Sequence, residues 1–165
     1  MRGAYPVAGD DEDGAAGPID AVIVGFHLDF DYTRLRLASS AVMRGARLIA
    51  TNDDPTYPTP AGPIPGGGAL VAAVATAAGI EQTVAGKPYA PMAATVLDRL
   101  DGPDPSRPVM VGDRASTDGR FAVALGAPFA LVRSGVTLPG AAVDVQCAYD
   151  GADLATVTDQ ILSIR

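Results

Sequence analysis

The chain has 165 residues, enough to bury a core without disulfide bonds, in one domain or in two small ones. Nineteen acidic residues against twelve basic ones give a net charge of -7, which repels nucleic-acid phosphates and argues against nucleic acid as a partner. The single cysteine, Cys147, excludes an intramolecular disulfide and favours a cytoplasmic location, and we interpret it as a small buried hydrophobic residue. No apolar run approaches the roughly 20 residues of a membrane span, so we expect a soluble protein with no membrane partner.

The first part of the chain predicts a β-α-β unit. Residues 1–18 are acidic and glycine-rich without periodicity, and they predict a loop or frayed end. The continuous apolar run 20–26 predicts a strand covered on both faces, because a strand with only one covered face needs apolar residues only at alternating positions. Helical spacing over 31–46, with Gly45 as the stop, and an apolar segment at 47–51 complete the unit, for which parallel pairing with a right-handed crossover is expected.

The middle of the chain predicts a long loop followed by helices. Five prolines and four glycines in 52–68 predict an irregular, rigid loop, and loops of this length are more often functional than idle. A helix is predicted over 68–79 and a second helix over 91–100.

The last part of the chain alternates predicted strands and helices. Their predicted ranges are strand 109–112, helix 117–125, strand 129–132, a strand near 145–149 and a closing helix at 151–164. Because strands and helices alternate along the whole chain, the predicted fold class is α/β with a mainly parallel sheet.

Two carboxylates follow the predicted strand 109–112. In open parallel sheets, ligands bind beyond the carboxyl ends of the strands, where Asp113 is expected, and Gly112 allows a sharp turn there. Mg²⁺ takes oxygen ligands, usually with only one or two protein carboxylates, so Asp113 fits this role and Asp118 can support it from the first helical turn. The spacing equally allows a purely structural interpretation. Asp113 would then be a turn residue, and Asp118 would lie near a helix N-terminus, where the helix dipole stabilises a negative charge.

Lys87 precedes a predicted helix and is followed by Pro88, which fits a first helical turn. A lysine in this position can hold a phosphoryl group and steady a carboxylate nucleophile. A loop lysine taken alone is more often a solvated charge.

Taken in order, five stretches of the sequence resemble the haloacid-dehalogenase (HAD) superfamily. The resemblance is to its phosphatase branch with a large α/β cap, the group of sugar-phosphate, p-nitrophenyl-phosphate, phosphoglycolate and glycerol-3-phosphate phosphatases. The stretches, between about residues 20 and 137, are AVIVGFHLDFDYTRL, GARLIATNDDPTYPTPAGPIPGGGAL, VAGKP, VGDRASTD and LVRSGVT. The resemblance implies a distal part of the α/β cap at 19–82 and the C-terminal part of a Rossmann-like catalytic core at 83–165.

The same resemblance implies a Mg²⁺-dependent phosphatase of a small phosphorylated metabolite. It makes Lys87 the lysine of the third motif, Asp113 the magnesium ligand of the fourth motif, and Asp118 its second acid, also counted with the metal site. It further suggests a substrate-lining turn at 51–54, and its candidate substrate-binding residues are Thr51, Asn52, Asp54 and Lys87. The alternative for the turn is that its Asn and Asp side chains cap their own backbone.

The sequence departs from the family pattern in three places. Ser116 stands where the branch usually has another acid, so the local negative charge is lower. Gly119 stands where the branch usually has an aliphatic residue, and a glycine there weakens the start of the helix. The family's Asp nucleophile, with its general acid two residues later, is expected at the end of an N-terminal strand, and we predict that the chain is N-terminally incomplete and lacks it. The sequence DEDG at 11–14 has the right letters, but the segment before Asp11 is too short and polar for a buried strand.

A second hypothesis is a non-catalytic relative that binds a phosphorylated ligand or a partner chain. Loss of the nucleophile strand would leave strand 109–112 with an unpaired edge, which predicts a homodimer or strand exchange. A plain nucleotide-binding fold is disfavoured because no G-x-G-x-x-G follows a strand.

Three further features are expected to be mainly structural. His27 is assigned a structural or surface role, and the PGGG sequence before the helix at 68–79 is assigned to packing, since it lacks the Lys-Ser/Thr of a P-loop. Ser134 and Gly135 are expected to shape the floor of the site.

Overall fold

The structure is a computed structural model that describes residues 19–100 and 108–163. The predictions for residues 1–18, including Asp11, lie outside the described residues. The chain forms two compact units that divide between Ala85 and Gly86. Within the described ranges, no helix is long and apolar enough to span a bilayer.

The first unit begins with the predicted β-α-β arrangement. Its elements are β1 (Ala21–Val24), α1 (Tyr32–Met43) and β2 (Arg47–Ala50). β1 and β2 pair in parallel, as predicted. The Asp31 carboxylate accepts a hydrogen bond from the Arg34 backbone N–H and so caps α1, and Gly45, with a φ of 106°, lies just beyond its end.

The first unit continues through a short hairpin, a helix and a third parallel strand. These are β3 (Thr56–Tyr57), β4 (Ile64–Pro65), α2 (Gly67–Ala78) and β5 (Thr83–Val84), and β5 pairs with β2. The prediction that 52–68 holds no regular structure is therefore wrong. Pro65 pairs opposite Thr56 in an isolated two-stranded ribbon, where a strand has an outer edge that needs no N–H donor.

The helices α1 and α2 pack against each other and against the β1–β2 pair. Their shared core is built from Val24, Val42, Leu48, Ala50, Val71, Val74 and Val84. Ile23, in the middle of β1, is 61% exposed. The prediction that both faces of this strand are covered is therefore wrong within this unit, because an unbroken apolar run does not report how many faces are packed.

The second unit contains a parallel three-stranded sheet in the order β6-β7-β8. Its elements are α3 (Ala90–Arg99), β6 (Met110–Gly112), a π-helical turn (Ala115–Gly119), α4 (Arg120–Leu125), β7 (Phe129–Val132), β8 (Tyr149–Gly151) and α5 (Leu154–Leu162). Every residue of the central strand β7 is buried. Leu131 of β7 and Val157 of α5 are fully inaccessible to solvent.

Two local predictions in the second unit need correction. α3 begins at Ala90 after Tyr89, so Pro88 precedes the helix, and it is Pro91 that lies in the first turn. The strand expected near 145–149 begins only at Tyr149, because the preceding Val145 and Cys147 pack on the Phe129 cluster instead.

Candidate active site

A lysine and a buried aspartate of the second unit form an ion pair. Lys87 Nζ donates a hydrogen bond of 2.7 Å to Asp118 Oδ1, and the Arg114 backbone N–H donates one of 3.2 Å to Oδ2. The Asp118 side chain is only 9% exposed, whereas that of Lys87 is 43% exposed. Because a buried carboxylate loses its hydration, these two donors replace the water that it gives up.

The position of Asp118 depends on the π-helical turn and on Gly112. Asp118 lies within that turn, and its side chain reaches back over the end of β6, where a Cβ at Gly112 would overlap the carboxylate. Gly112 is not one of the glycines with positive φ among the described residues. Glycine at 112 therefore avoids a Cβ clash, as the sequence suggested, and is not needed for a positive φ. Single π-helical turns are frequent at functional sites.

Asp113 is held by the loop that follows β7. Its Oδ2 accepts a hydrogen bond of 2.8 Å from the Val136 N–H, and its carbonyl oxygen accepts one of 3.0 Å from the Thr137 N–H. A Cβ at Gly135 would overlap the Asp113 carboxylate. The hydrogen bond to this carboxylate thus engages Oδ2, on the side of the loop that follows β7.

The oxygen ligands at this end of β6 suit a hard cation. No cluster of three or more His, Cys, Asp or Glu side chains that could hold a metal occurs in the part of the chain that the structure describes. Mg²⁺ does not require one, because it keeps several waters and binds through one or two carboxylates plus substrate phosphate. The carboxylates of Asp113 and Asp118 have the oxygen chemistry that a divalent cation of this kind takes.

An open cavity of about 470 Å³ adjoins the loop that holds Asp113. It is lined by residues 114–116, 136–138 and 141–144 of the second unit. The cavity is thus lined by the residues that directly follow Asp113, whereas Asp113 and Asp118 are not among its lining residues.

The candidate substrate-binding residues Thr51, Asn52 and Asp54 lie together in the first unit. Asn52 Oδ1 accepts a hydrogen bond of 3.2 Å from the Asp54 N–H, so its side chain stabilises its own turn, as the alternative interpretation expects. The Asp54 carbonyl oxygen accepts one of 2.9 Å from the Gly68 N–H. Thr51 is exposed.

The glycines of the PGGG sequence pack against this turn. A Cβ at Gly67 would lie 2.9 Å from Asn52 Oδ1, and one at Gly68 would overlap the Asp53 carbonyl. The close approach of the two segments accounts for these glycines without a phosphate.

The remaining sequence candidates have local roles. His27 is exposed, and its Nδ1 accepts a hydrogen bond of 3.1 Å from the Asp29 N–H. Ser116 is exposed on the π-helical turn, and Gly119 is buried, with space for a Cβ blocked by Val145. Sequence reasoning missed the donors of Val136 and Thr137, because a backbone N–H leaves no mark in a pattern of side chains.

Comparison with known proteins identifies the family. A family model described as HAD-hydrolase-like matches residues 84–158. The D-glycerol 3-phosphate phosphatase of Mycobacterium tuberculosis is 40% identical over 117 residues, which are 71% of this chain and 32% of that protein. Human chronophin is 40% identical over 135 residues, which are 80% of this chain and 44% of that protein.

Solved structures give the same result. The p-nitrophenyl phosphatase from Archaeoglobus fulgidus matches with a TM-score of 0.78 and 30% identity, over 86% of this chain and 56% of that one. A glycerol phosphate phosphatase from Mycobacterium tuberculosis, solved in complex with calcium, matches with a TM-score of 0.71 and 35% identity, over 84% of this chain and 41% of that one.

The fold is therefore the α/β fold of the HAD phosphatases, which have a Rossmann-like core and a cap. The chain belongs to the HAD-like hydrolase family, in the group of the phosphatases that it matches. It spans less than half the length of the curated relatives, from 32% to 46%.

Proposed function

We propose that this chain supplies the metal-binding and phosphoryl-binding residues of a Mg²⁺-dependent phosphatase that acts on a small phosphorylated metabolite. The observation that carries the proposal is the 2.7 Å ion pair between Lys87 and Asp118, at the strand end where Asp113 also lies. The relatives named as phosphatases favour this function over a non-catalytic ligand-binding protein.

Each of the three residues has a proposed role that its position supports. Asp113 would bind Mg²⁺ directly through its carboxylate, and Asp118 would add its negative charge to the same site. Bound Mg²⁺ would neutralise developing charge on the phosphoryl oxygens. Lys87, held in place by Asp118, would direct its ammonium group at the phosphoryl group, where a fixed charge stabilises the transition state.

We assign the aspartate nucleophile of HAD chemistry to no described residue. Asp29 and Asp31 have the spacing of the nucleophile and general acid, but Asp31 Oδ1 accepts a hydrogen bond of 2.8 Å from the Arg34 N–H as a helix cap. We therefore propose that these two residues are structural and that the nucleophile lies outside the residues described.

We further propose that residues 19–82 are the distal part of the cap and 83–165 the C-terminal part of the core. Thr51, Asn52 and Asp54 would then contact the part of the substrate that is not phosphate. On this proposal, a Thr51→Val change made in a longer form that carries the nucleophile alters KM and leaves kcat nearly unchanged. We also propose a cytoplasmic location. A homodimer that pairs through the outer edge of β6 is a separate proposal, and a monomer by light scattering would contradict it.

Calorimetric titration of the chain with Mg²⁺ tests the metal site. We expect binding that Asp113→Asn weakens by at least tenfold and that Asp144→Asn, which changes an exposed carboxylate of the same unit, leaves unchanged. Equal binding by the chain and Asp113→Asn would overturn the assignment.

Phosphate release from p-nitrophenyl phosphate, with Mg²⁺ and with chelator, tests the nucleophile assignment. No turnover by this chain is expected. Mg²⁺-dependent turnover that is lost in Asp113→Asn would overturn the prediction that the chain lacks the nucleophile, and it would make Asp11 the next residue to change.

A further inference from the structure

One arginine links β8 to the loop that holds Asp113. Arg133, directly after β7, forms a two-pronged ion pair with Asp150 of β8: Nε donates to Oδ1 at 2.7 Å and Nη2 donates to Oδ2 at 2.6 Å. The Arg133 side chain is only 15% exposed. A bidentate pair, in which two nitrogens of the planar guanidinium group bond to the two carboxylate oxygens, fixes the orientation of that group.

The third nitrogen of the same guanidinium holds the middle of the loop that runs from β7 to β8. Arg133 Nη1 donates to the carbonyl oxygens of Leu138 at 2.9 Å and Ala141 at 3.1 Å. Arg133 therefore closes the loop on itself, because it lies at the start of the loop and bonds to carbonyls five and eight residues later.

Between Arg133 and these two carbonyls lie the residues that contact Asp113. The Val136 and Thr137 amides donate to its carboxylate and carbonyl, and Gly135 packs against its carboxylate. These three contacts come from consecutive residues of a loop that carries no helix or strand. Their position relative to β6 therefore depends on the contacts that anchor the loop, and the bonds from Arg133 are the ones that close the stretch containing these residues.

We infer that Arg133 is a positioning residue for Asp113, acting through the loop that it clamps to Asp150. The alternative is that Arg133 only strengthens the pairing of β7 with β8. That pairing already has the backbone bond from Arg133 N–H to the Gly151 carbonyl, at 2.9 Å. It gains nothing from the two bonds to Leu138 and Ala141, which serve the loop alone.

Hydrogen exchange of single amides, measured by NMR on the whole chain, separates the two roles. We expect Arg133→Met to speed exchange of the Val136 and Thr137 amides by at least tenfold, and of the Ala130 and Leu131 amides in β7 by less than twofold. Arg133→Lys keeps the charge but cannot make all four bonds, so it is expected to behave like Arg133→Met. Arg120→Met, which breaks the exposed ion pair with Asp144, is the matched control and leaves Val136 and Thr137 unchanged.

The Mg²⁺ affinity is the second readout, and it rests on the proposed function. Residues that orient a metal ligand change affinity by roughly 10- to 100-fold, so we expect a loss of about tenfold in both Arg133 variants. If the unchanged chain binds no Mg²⁺, the metal proposal fails, while selective loosening of Val136 and Thr137 still establishes the clamp.

Two exchange results would overturn the inference. One is unchanged exchange at Val136 and Thr137 in Arg133→Lys, which would show that charge without the bidentate pair suffices. The other is an equal increase at Val136, Thr137, Ala130 and Leu131, which would show a purely structural role. If Arg133→Met does not fold, the exchange rates of Arg133→Lys alone decide between the two roles.

Discussion

Lys87 Nζ lies 2.7 Å from Asp118 Oδ1, although 31 residues separate the two in the chain. The pair brings the segment before α3 onto the π-helical turn after β6. One partner is buried and the other is partly solvated, so the pair differs from a surface ion pair, whose net contribution is close to zero. It contributes to stability as well as to the proposed chemistry.

A double-mutant cycle with Lys87→Met and Asp118→Asn measures this contribution. After allowance for the exposure of Lys87, we expect a coupling free energy of about 1 kcal/mol in urea unfolding, because removing Lys87 leaves a buried carboxylate short of a donor. The matched cycle uses Arg120→Met and Asp144→Asn, whose side chains are 59% and 61% exposed, and should give a much smaller coupling. Strictly additive effects of Lys87→Met and Asp118→Asn would contradict the pairing.

Gly119→Ala is expected to destabilise the chain by about 1–3 kcal/mol through overpacking. Gly119 has a φ of -65° and a ψ of -44°, so the backbone accepts alanine, and helix propensity alone would favour alanine by about 1 kcal/mol. The new Cβ would instead overlap Val145 and lie 3.1 Å from the Phe129 ring. Val145→Ala removes the blocking methyl group, so adding Gly119→Ala to that variant should cost little. A gain in stability from Gly119→Ala alone would show that the gain in helix propensity outweighs the overpacking.

The Arg133–Asp150 pair predicts a specific acid dependence. The hydrogen bond from Arg133 lowers the pKa of Asp150 below its usual 3.8. A lowered folded-state pKa stabilises the fold above the unfolded-state value, and this stabilisation is lost as the pH falls through the folded-state value. The difference in free energy of unfolding between the chain and Asp150→Asn should therefore be constant from pH 7 to about pH 5 and shrink below about pH 3.8. A difference that already changes between pH 7 and 5 would be inconsistent with this sign.

Cys147 is expected to react slowly with thiol reagents. Burial raises the pKa of its thiol above 9.0, the charge of Asp150 raises this pKa further, and Arg133 opposes the shift. Because the thiolate is the reactive form, labelling with a disulfide reagent at pH 8 should be slower in the folded chain than in denaturant, although Cys147 is only partly buried. The variant Ala142→Cys, Cys147→Ser moves the thiol to an exposed position and should label at the denatured rate. Equal rates for the folded and denatured chain would disprove a protected thiol.

The sequence predicted those parts of the fold whose signal is local. β7 was predicted to the residue, because Phe129–Val132 is a short apolar run between Pro128 and Arg133. The hairpin of β3 and β4 was missed, since prolines count against strands in general but not at the edge of a two-stranded ribbon.

The sequence singled out the charged residues of the candidate site but not the contacts that hold them. Lys87, Asp113 and Asp118 were proposed from residue type, order and the family resemblance, and the structure brings Lys87 and Asp118 into contact. The π-helical turn and the clamp by Arg133 depend on contacts between distant segments, which no local pattern contains.

Gly112 and Gly135 each face a carboxylate across a gap too small for a methyl group. A natural variant with alanine at either position would keep Lys87, Asp113 and Asp118 and still displace an acid from the site. Surveys that judge whether a gene of this family encodes a working site only by its charged motif residues would count such a variant as intact. These two glycines belong in the test for a competent site, beside the residues whose chemistry they make room for.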